Sequence, residues 1–425
     1  MKTDRREFTK LGAISAIALA GTPAWALSGS GLSPSATSPG QDAAALPNAK
    51  QAKPITREER LQRQETARRY MKDAAIDAII LTGGSSLMYF TGTQWGISER
   101  MFALVFPQKG DVAWVVPAFE KGRAIEQIKF GSDIRTWEED ESPYQLVATV
   151  LKDRGITTGT LGVEETVRFV FSNGVARAAP ALKLTSADPV TARCRRVKSK
   201  HEIELMRLSN QITLKAYEIA SQSLREGMTQ GELSGKISAA HQQMGMRGGA
   251  MVLFGESAAY PHGTVNAPKL KQGDVVLMDG GGSVEGYASD ITRTTIFGKP
   301  GDKVLRAWDL VKQAQGAALK AARPGRTCED LDYAARKVIV EAGYGPGYKY
   351  FTHRLGHGIG LDGHEWTYLV KGNKTVLEPG MSFSNEPGIY VPGEFGVRLE
   401  DIMVITESGA ELLTGQASSI EQPFA

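Results

Sequence analysis

Apolar and charged positions recur at helical spacing from Thr56 to about Met71, which predicts an amphipathic helix. The continuous apolar run Ala78-Ile79-Ile80-Leu81 then reads as a buried strand that leaves through Thr82-Gly83-Gly84. Further short strands are expected at 102–106 and 112–116, and helices at about 118–129 and 143–153. Strands alternating with helices imply an α/β layer domain over about residues 55–190. Pro189 to Lys200 links it to a second domain, 195–425. There, helices at 200–225 and 229–244 precede one acidic hairpin, and helices at 302–322 and 327–342 precede a second. Two helices and a hairpin, twice over, suggest two related halves enclosing one site.

The chain before Thr56 has a different texture. Residues 1–26 carry Asp4-Arg5-Arg6-Glu7-Phe8-Thr9-Lys10, an apolar segment from Leu11 to Gly21, and Ala24-Trp25-Ala26 as a cleavage site. This pattern resembles a twin-arginine export signal, so a periplasmic or exported protein and a transient encounter with the twin-arginine export machinery are expected. The apolar run is about half the length that spans a bilayer, so no stable membrane anchor is expected. Residues 27–54, rich in Ser, Pro, Ala and Gly, read as a flexible linker.

The chemistry concentrates between residues 279 and 400. Asp279 lies in VVLMDGGG, Asp290 in YASDITRTT, His357 in HRLGHGIGLDGHE, Glu386 in SFSNEPGIY and Glu400 in GVRLEDIMVIT. Each acid sits in or beside a strand-like run, where an unpaired carboxylate would cost several kcal/mol to bury and a nearby cation would remove that cost. Four carboxylates and one imidazole do not suit a closed structural zinc site. They suit two divalent ions, manganese first and iron, cobalt or zinc as alternatives, bridged by carboxylates and a water. Asp279 and Asp290 flank the turn Gly280-Gly281-Gly282, and Glu386 and Glu400 flank a second containing Pro392, Gly393 and Gly396, so each hairpin presents a pair of acids.

In this order and at these intervals the five motifs resemble the pita-bread dinuclear metallopeptidases, and within them the Xaa-Pro aminopeptidase (aminopeptidase P) and prolidase branch. The resemblance runs from about residue 55 to 415. It implies an α/β creatinase-like amino-terminal domain, with LMYFTG at 87–92, and an α+β pita-bread catalytic domain of duplicated helices and antiparallel hairpins. It further implies that His262, His353 and His364 line the substrate side of the metals, that Arg398 contacts substrate or fixes a ligand carboxylate, and that Tyr390 supports it. Asp290 and Glu400 would bridge the ions, with Asp279 on one and His357 and Glu386 on the other. A shared water of lowered pKa would then supply hydroxide, His262 or His364 would donate to the developing oxyanion, and Glu386 would carry a proton to the leaving nitrogen. The expected activity is hydrolysis of the bond before proline at the amino end of a peptide. Relatives are often homodimers. Loops such as the one holding Trp95, Glu99 and Arg100 can reach a neighbouring subunit's site, although a surface ion pair explains these residues equally well.

Two further enzymatic readings share the fold, a dimethylsulfoniopropionate lyase and an ectoine-type amide hydrolase. A third reading is an inactive binding module, against which the intact ligand set argues. One departure bears on substrate: Gly363 precedes His364 and Trp366 follows Glu365, where the family commonly has Asp-Val-His-Glu and then small residues or proline. A bulky indole there would narrow the pocket.

Composition changes little in this picture. With 425 residues, 41% hydrophobic and 23% charged, the chain is long enough for two cores. A net charge of +3 offers no nucleic-acid surface, and removing residues 1–26 takes away four basic and two acidic side chains. A peptide or small molecule is the expected partner. Cys194 and Cys328 read as buried thiols, His201 and His241 as surface residues, and Gly83-Gly84 as a turn that lacks the Lys-Ser/Thr of a phosphate loop.

Overall fold

The computed structural model describes residues 46–424; the expected export signal and the start of the linker lie outside the described residues. The first helix, α1 (Arg57–Asp73), starts at a capping box in which the Thr56 hydroxyl accepts from Glu59 N and the Glu59 carboxylate accepts from Thr56 N. Next come β1 (Ala78–Thr82), α2 (Ser85–Thr91), β2 (Ala103–Pro107), β3 (Ala113–Pro117), α3 (Lys121–Gln127) and β4 (Asp133–Trp137). The domain is completed by α4 (Pro143–Asp153), β5 (Gly159–Val163), α5 (Phe169–Ala178), β6 (Leu182–Ser186) and α6 (Thr191–Arg196). The strands form one mixed sheet in the order β4-β3-β2-β1-β5-β6, with β1 antiparallel to β2 and parallel to β5.

Both faces of that sheet are covered, which explains why β1 is apolar at every position. Ile79 and Leu81 join one core with Leu104 and Trp114, while Ala78 and Ile80 join another with Val105 and Val115. The helix expected at 118–129 is split into a 3-10 turn, Ala118–Glu120, and α3.

The catalytic half opens with α7 (Lys200–Ser221) and α8 (Gln230–Gln243), followed by β7 (Met251–Phe254), β8 (Val275–Gly280), β9 (Ser283–Val284), β10 (Tyr287–Ala288) and β11 (Ile291–Ile296). The second set is α9 (Asp302–Ala321), α10 (Cys328–Glu341), β12 (Gly356–Gly358), β13 (Glu365–Leu369), β14 (Ser382–Asn385), β15 (Gly388–Val391), β16 (Phe395–Arg398), β17 (Asp401–Ile405) and β18 (Ala410–Leu412). Beside the two-stranded pairs β9–β10 and β15–β16, the two larger sheets are β11-β8-β7 and β13-β12-β14-β17-β18. An antiparallel bridge between Thr292 and Glu400 ties them, with Glu400 N donating to Thr292 O over 3.1 Å. Helix pair and sheet therefore occur twice, and the seam between the two sheets passes through a ligand candidate.

Three expectations are corrected. The end of the expected linker is packed rather than free: Asn48 caps a 3-10 turn at Ala49–Gln51, Ala49 N donates to Met244 O at 2.9 Å, and Ile55 is buried. The segment read as an interdomain link contains α6, because Thr191, Cys194 and Arg195 are buried. His241 is fully buried, and its ring is consumed by Ile237 O at 2.9 Å and Thr213 Oγ1 at 3.1 Å. His201 is partly exposed, with Glu59 at 2.9 Å. Cys194 and Cys328 are buried free thiols, and among the described residues no helix is long and apolar enough to cross a membrane.

Alternation along β11 sends Thr292 toward one face and Arg293 toward the other. Arg293 is fully buried, with Asp401 at 2.6 Å and the carbonyls of Glu400 at 2.8 Å and Pro423 at 2.9 Å. Asp401 also accepts from Gln315 Nε2 at 2.9 Å. This pair fixes the strand beside Glu400 from behind. Removing one member of a buried, hydrogen-bonded pair strands the other, so Arg293→Ala is expected to lose about 3–5 kcal/mol in urea denaturation. A loss below about 1 kcal/mol would show that the pair is dispensable.

Candidate metal centre

Strand geometry brings the five acceptors together. Asp279 lies on β8 directly across from Thr292 on β11, and Asp290 immediately precedes β11. His357 sits on β12, between β13 and β14 in the larger sheet. Glu386 precedes the β15–β16 hairpin and Glu400 follows it. Three overlapping sets, Asp279 with Asp290 and Glu400, His357 with Glu386 and Glu400, and Asp290 with His357 and His364, each hold their ligand atoms within 4.8 Å of one another. Among the carboxylates, Asp290 and Glu400 each belong to two of the three sets.

The local chemistry fits a cation. Glu400 is buried, and its Oε1 has no hydrogen-bond donor among the described residues. Burial and the charges of Asp290, Glu386 and Asp279 push the Glu400 carboxyl well above its ordinary range. Burial and the Asp279 charge likewise raise Asp290 to about 7. Glu386 behaves in the opposite way: burial works against its charge, but the hydrogen bond from His357 and the neighbouring His353 and Arg398 hold it at about 2. The ring of His357 donates through Nδ1 to Gly358 O at 3.1 Å and aims Nε2 at Glu386 Oε1, 3.3 Å away, and Asp290 Oδ2, 3.8 Å away. Against the opposing effect of burial these carboxylates raise the pKa of the ring, so Nε2 donates to Glu386 when protonated and offers its lone pair to a cation when not.

A surrounding layer orients these groups. Arg398 is buried and spans Asp279 Oδ2 at 2.5 Å, Tyr390 Oη at 2.7 Å and Thr292 Oγ1 at 3.2 Å. Of its two expected roles, the geometry supplies the fixing of a ligand carboxylate. His353 Nδ1 donates to Arg354 O at 2.8 Å, which leaves Nε2 to accept from Tyr390 Oη at 2.8 Å. Burial lowers the pKa of His353, and burial together with His357 lowers that of His364. The ring of His364 stacks on that of His357 with centroids 3.6 Å apart. His262 is exposed on a loop held to the centre through Pro261 O, 3.3 Å from Arg398 Nη1.

Sequence reasoning missed Thr292 and Ser384. Thr292 Oγ1 lies 2.8 Å from Asp279 Oδ1 and 2.7 Å from Glu400 Oε2, at the seam of the two sheets. Ser384 Oγ accepts from His357 N at 3.0 Å and donates to Glu386 at 3.1 Å. Alternation alone would have placed Thr292 on the face of Asp290, two residues earlier, and Ser384 on that of Glu386. Trp95 is stacked on Phe102 at 3.8 Å, and Arg100 pairs with Glu99 at 2.5 Å and Glu139 at 2.8 Å, so the charges of this loop are satisfied within the amino-terminal domain.

Residues 204–407 match Metallopeptidase family M24, and residues 63–197 match the Creatinase/Prolidase N-terminal domain. The probable dipeptidase PepE of Mycobacterium tuberculosis is 37% identical over 80% of this chain and 90% of its own length. The chain belongs to metallopeptidase family M24. Among solved M24-like structures, the dipeptidase PepE from Mycobacterium ulcerans aligns with a TM-score of 0.79 at 33% identity, covering 85% of this chain and 97% of that one. A Xaa-Pro dipeptidase from Bacillus anthracis aligns with a TM-score of 0.73 at 31% identity, over 83% and 97%. The chain is thus an M24 hydrolase of the dipeptidase, prolidase and aminopeptidase P type, with a creatinase-type domain before a pita-bread catalytic domain, in a family that binds divalent metals.

Cations can enter only as the protons that repulsion leaves on Asp290 and Glu400 depart. Because both folded-state pKa values are raised, the two groups detract from the stability of the metal-free fold as pH rises above about 4, Asp290 over the range up to about 7. Metal uptake at about pH 6 is therefore expected to release protons, and to release fewer at about pH 8. Calorimetry in buffers of different ionisation enthalpy reads the count; equal release at both values would exclude this electrostatic description.

Proposed function

We propose that the chain is a metal-dependent dipeptidase that cleaves Xaa-Pro, with two divalent ions, manganese first among them, held by Asp279, Asp290, His357, Glu386 and Glu400. The observation that carries the metal reading is the buried carboxylate set with its donorless Glu400 Oε1. Divalent ions held there would polarise the scissile carbonyl and lower the pKa of a water shared between them. The side chains do the rest. Glu386, held ionised, is suited to accept a proton and pass it to the departing proline nitrogen. His364, above His357, and His262, on its exposed loop, are the candidates to donate to the carbonyl oxygen as charge develops. The His353–Tyr390–Arg398 chain keeps Asp279 and the ring of His353 in place.

A dipeptide is favoured over a longer peptide by Arg354. Its guanidinium lies over the Tyr368 ring at 3.9 Å, with Nη2 3.5 Å from His364 Nδ1, and it makes no ion pair among the described residues. A free cation beside His364 suits the terminal carboxylate of a two-residue substrate. Trp366 is half exposed, with its ring 6.0 Å from that of Tyr368. The proposal extends to export, supported by Arg5-Arg6, Phe8, Lys10 and the apolar segment after them. Replacing both arginines by lysine should retain the protein in the cytoplasmic fraction.

The deciding assay offers Ala-Pro, Ala-Pro-Ala, Ala-Ala-Ala and dimethylsulfoniopropionate to the manganese-loaded protein, with Asp290→Ala as control. Cleavage of Ala-Pro is expected to exceed that of the tripeptides and to vanish in the variant. Arg354→Ala should raise KM for Ala-Pro roughly ten- to a hundredfold and leave Ala-Pro-Ala less affected. Turnover of Ala-Pro-Ala alone would favour an aminopeptidase, and turnover of neither proline peptide would remove the proline reading.

A further inference from the structure

Glu365 follows His364 and points away from the metal centre, into the junction between the domains. It is buried and meets two cations, Arg195 Nη2 at 2.5 Å and Lys198 Nζ at 2.9 Å, the latter with its side chain only 2% exposed. Its Oε1 also accepts from the amides of Leu361 at 2.9 Å and Asp362 at 3.2 Å. Four donors therefore converge on one carboxylate. Both cations come from outside the catalytic sheets: Arg195 lies on α6, the last helix of the amino-terminal half, and Lys198 lies in the three residues that join α6 to α7.

The same loop is gripped on its other flank. Asp362 accepts from Arg195 at 2.5 Å and is bonded to the hydroxyl of Ser85, and Arg195 Nη1 donates to Ser86 Oγ at 3.1 Å. Gly360 O accepts from Ala288 N at 2.7 Å, two residues before Asp290. A Cβ at Gly360 would fall 2.8 Å from both Glu365 Oε2 and Lys198 Cε, so the backbone is packed directly onto the ion pair. Lys198 N in turn donates to Gly380 O at 2.8 Å, next to β14. None of these groups reaches the metal cluster, yet the loop they hold presents His364 over the ring of His357.

We propose that Glu365 is a positioning residue for His364, and that Arg195 and Lys198 make the seating of the amino-terminal domain a condition for the alignment of the site. Buried ion pairs of this kind contribute little net stability but strongly favour one geometry. The loop ends at an exposed histidine whose ring stacks on that of His357 and whose hydrogen-bond partner, Arg354 Nη2, lies at the long distance of 3.5 Å. Glu365 thus supplies the rigidity that the exposed side of the loop lacks. The inference rests on His364 acting on substrate, as in the proposal above.

The test uses a double-mutant cycle and a measurement that needs no turnover. Lys198→Met keeps the volume and leaves Arg195 on Glu365, so folding is retained. With Ala-Pro it should lower kcat/KM roughly ten- to a hundredfold in the wild-type background and by less than about threefold in the His364→Ala background. Equal losses in both backgrounds would mean a general structural role and overturn the proposal. In parallel, hydrogen exchange of the full-length, metal-free protein should quicken over residues 359–366, and at Ala288, whose amide is bonded to Gly360 O, in Lys198→Met and in Glu365→Gln, with the strands 275–280 and 291–296 unchanged. Unchanged exchange at 359–366 in both variants would also overturn it. If the wild type lacks dipeptidase activity, the function proposed above fails while the exchange result still decides whether Glu365 holds the loop.

Discussion

Mutual repulsion among four carboxylates in a poorly solvated seam is the constraint around which this molecule is built. Left to themselves, Asp279, Asp290, Glu386 and Glu400 would separate, protonate or open the site to water. The fold prevents the first by placing each at a strand end whose partner strands are already fixed. Asp279 is locked across from Thr292 on β11, and Glu400 is bridged to that same Thr292 from the other sheet. One threonine therefore stands at the point where both halves of the duplicated domain meet. Behind it, Arg293 and Asp401 neutralise each other on the opposite face, so the strands carrying the ligands are held from both sides.

Against this repulsion the protein distributes positive charge unevenly, and the unevenness assigns roles. Arg398 compensates Asp279, and the two histidines on the Glu386 side hold Glu386 ionised. Nothing of the kind faces Glu400 Oε1, and Asp290 is answered more weakly, by His357 Nε2 at 3.8 Å; these two acids each belong to two of the three ligand sets. The uncompensated charge thus lies among residues that could hold a divalent cation. A fully neutralised cluster would have been a more stable metal-free protein and a poorer cation site.

The legible part of this protein was the part written in local pattern. Long helices with clear 3.6-residue periodicity, α1, α7, α8, α9 and α10, and the apolar strand β1 follow from the sequence within a few residues. The five acceptors stood out because charged residues inside strand-like runs demand an explanation. What escaped was set by tertiary environment. His241 looks like any polar residue on an amphipathic helix, and only packing against Thr213 shows that its ring is enclosed. α2 is too short for periodicity to register, and the end of the Pro- and Ala-rich segment before Thr56 is ordered by contact with Met244, a residue nearly two hundred positions away. Thr292 and Ser384 were visible in principle through alternation, but hydroxyls in strands carry no charge to raise suspicion. Glu365 carried one and was still passed over, because its partners, Arg195 and Lys198, belong to a segment that reads as a connector.

That last case shows how the two domains form one catalytic unit. The amino-terminal sheet contributes no ligand candidate, and its aromatic and ion-pair groups near Trp95 and Arg100 are satisfied within their own domain. Its influence on the centre runs instead through buried polar contacts at the junction. Arg63 donates to Tyr287 Oη at 2.9 Å and lies 3.2 Å from Glu202, and Tyr287 precedes Asp290 by three residues. Arg195 reaches Glu365, which adjoins His364. One contact braces the segment leading to a metal-ligand candidate, and the other braces the segment leading to a substrate-binding candidate. Because each charge is buried, either domain alone would expose unpaired groups at the cut surface, and the lowest-energy arrangement is the one in which both segments are seated together. The amino-terminal domain thus acts as the clamp that lets two opposed hairpins and an exposed histidine loop share a single geometry.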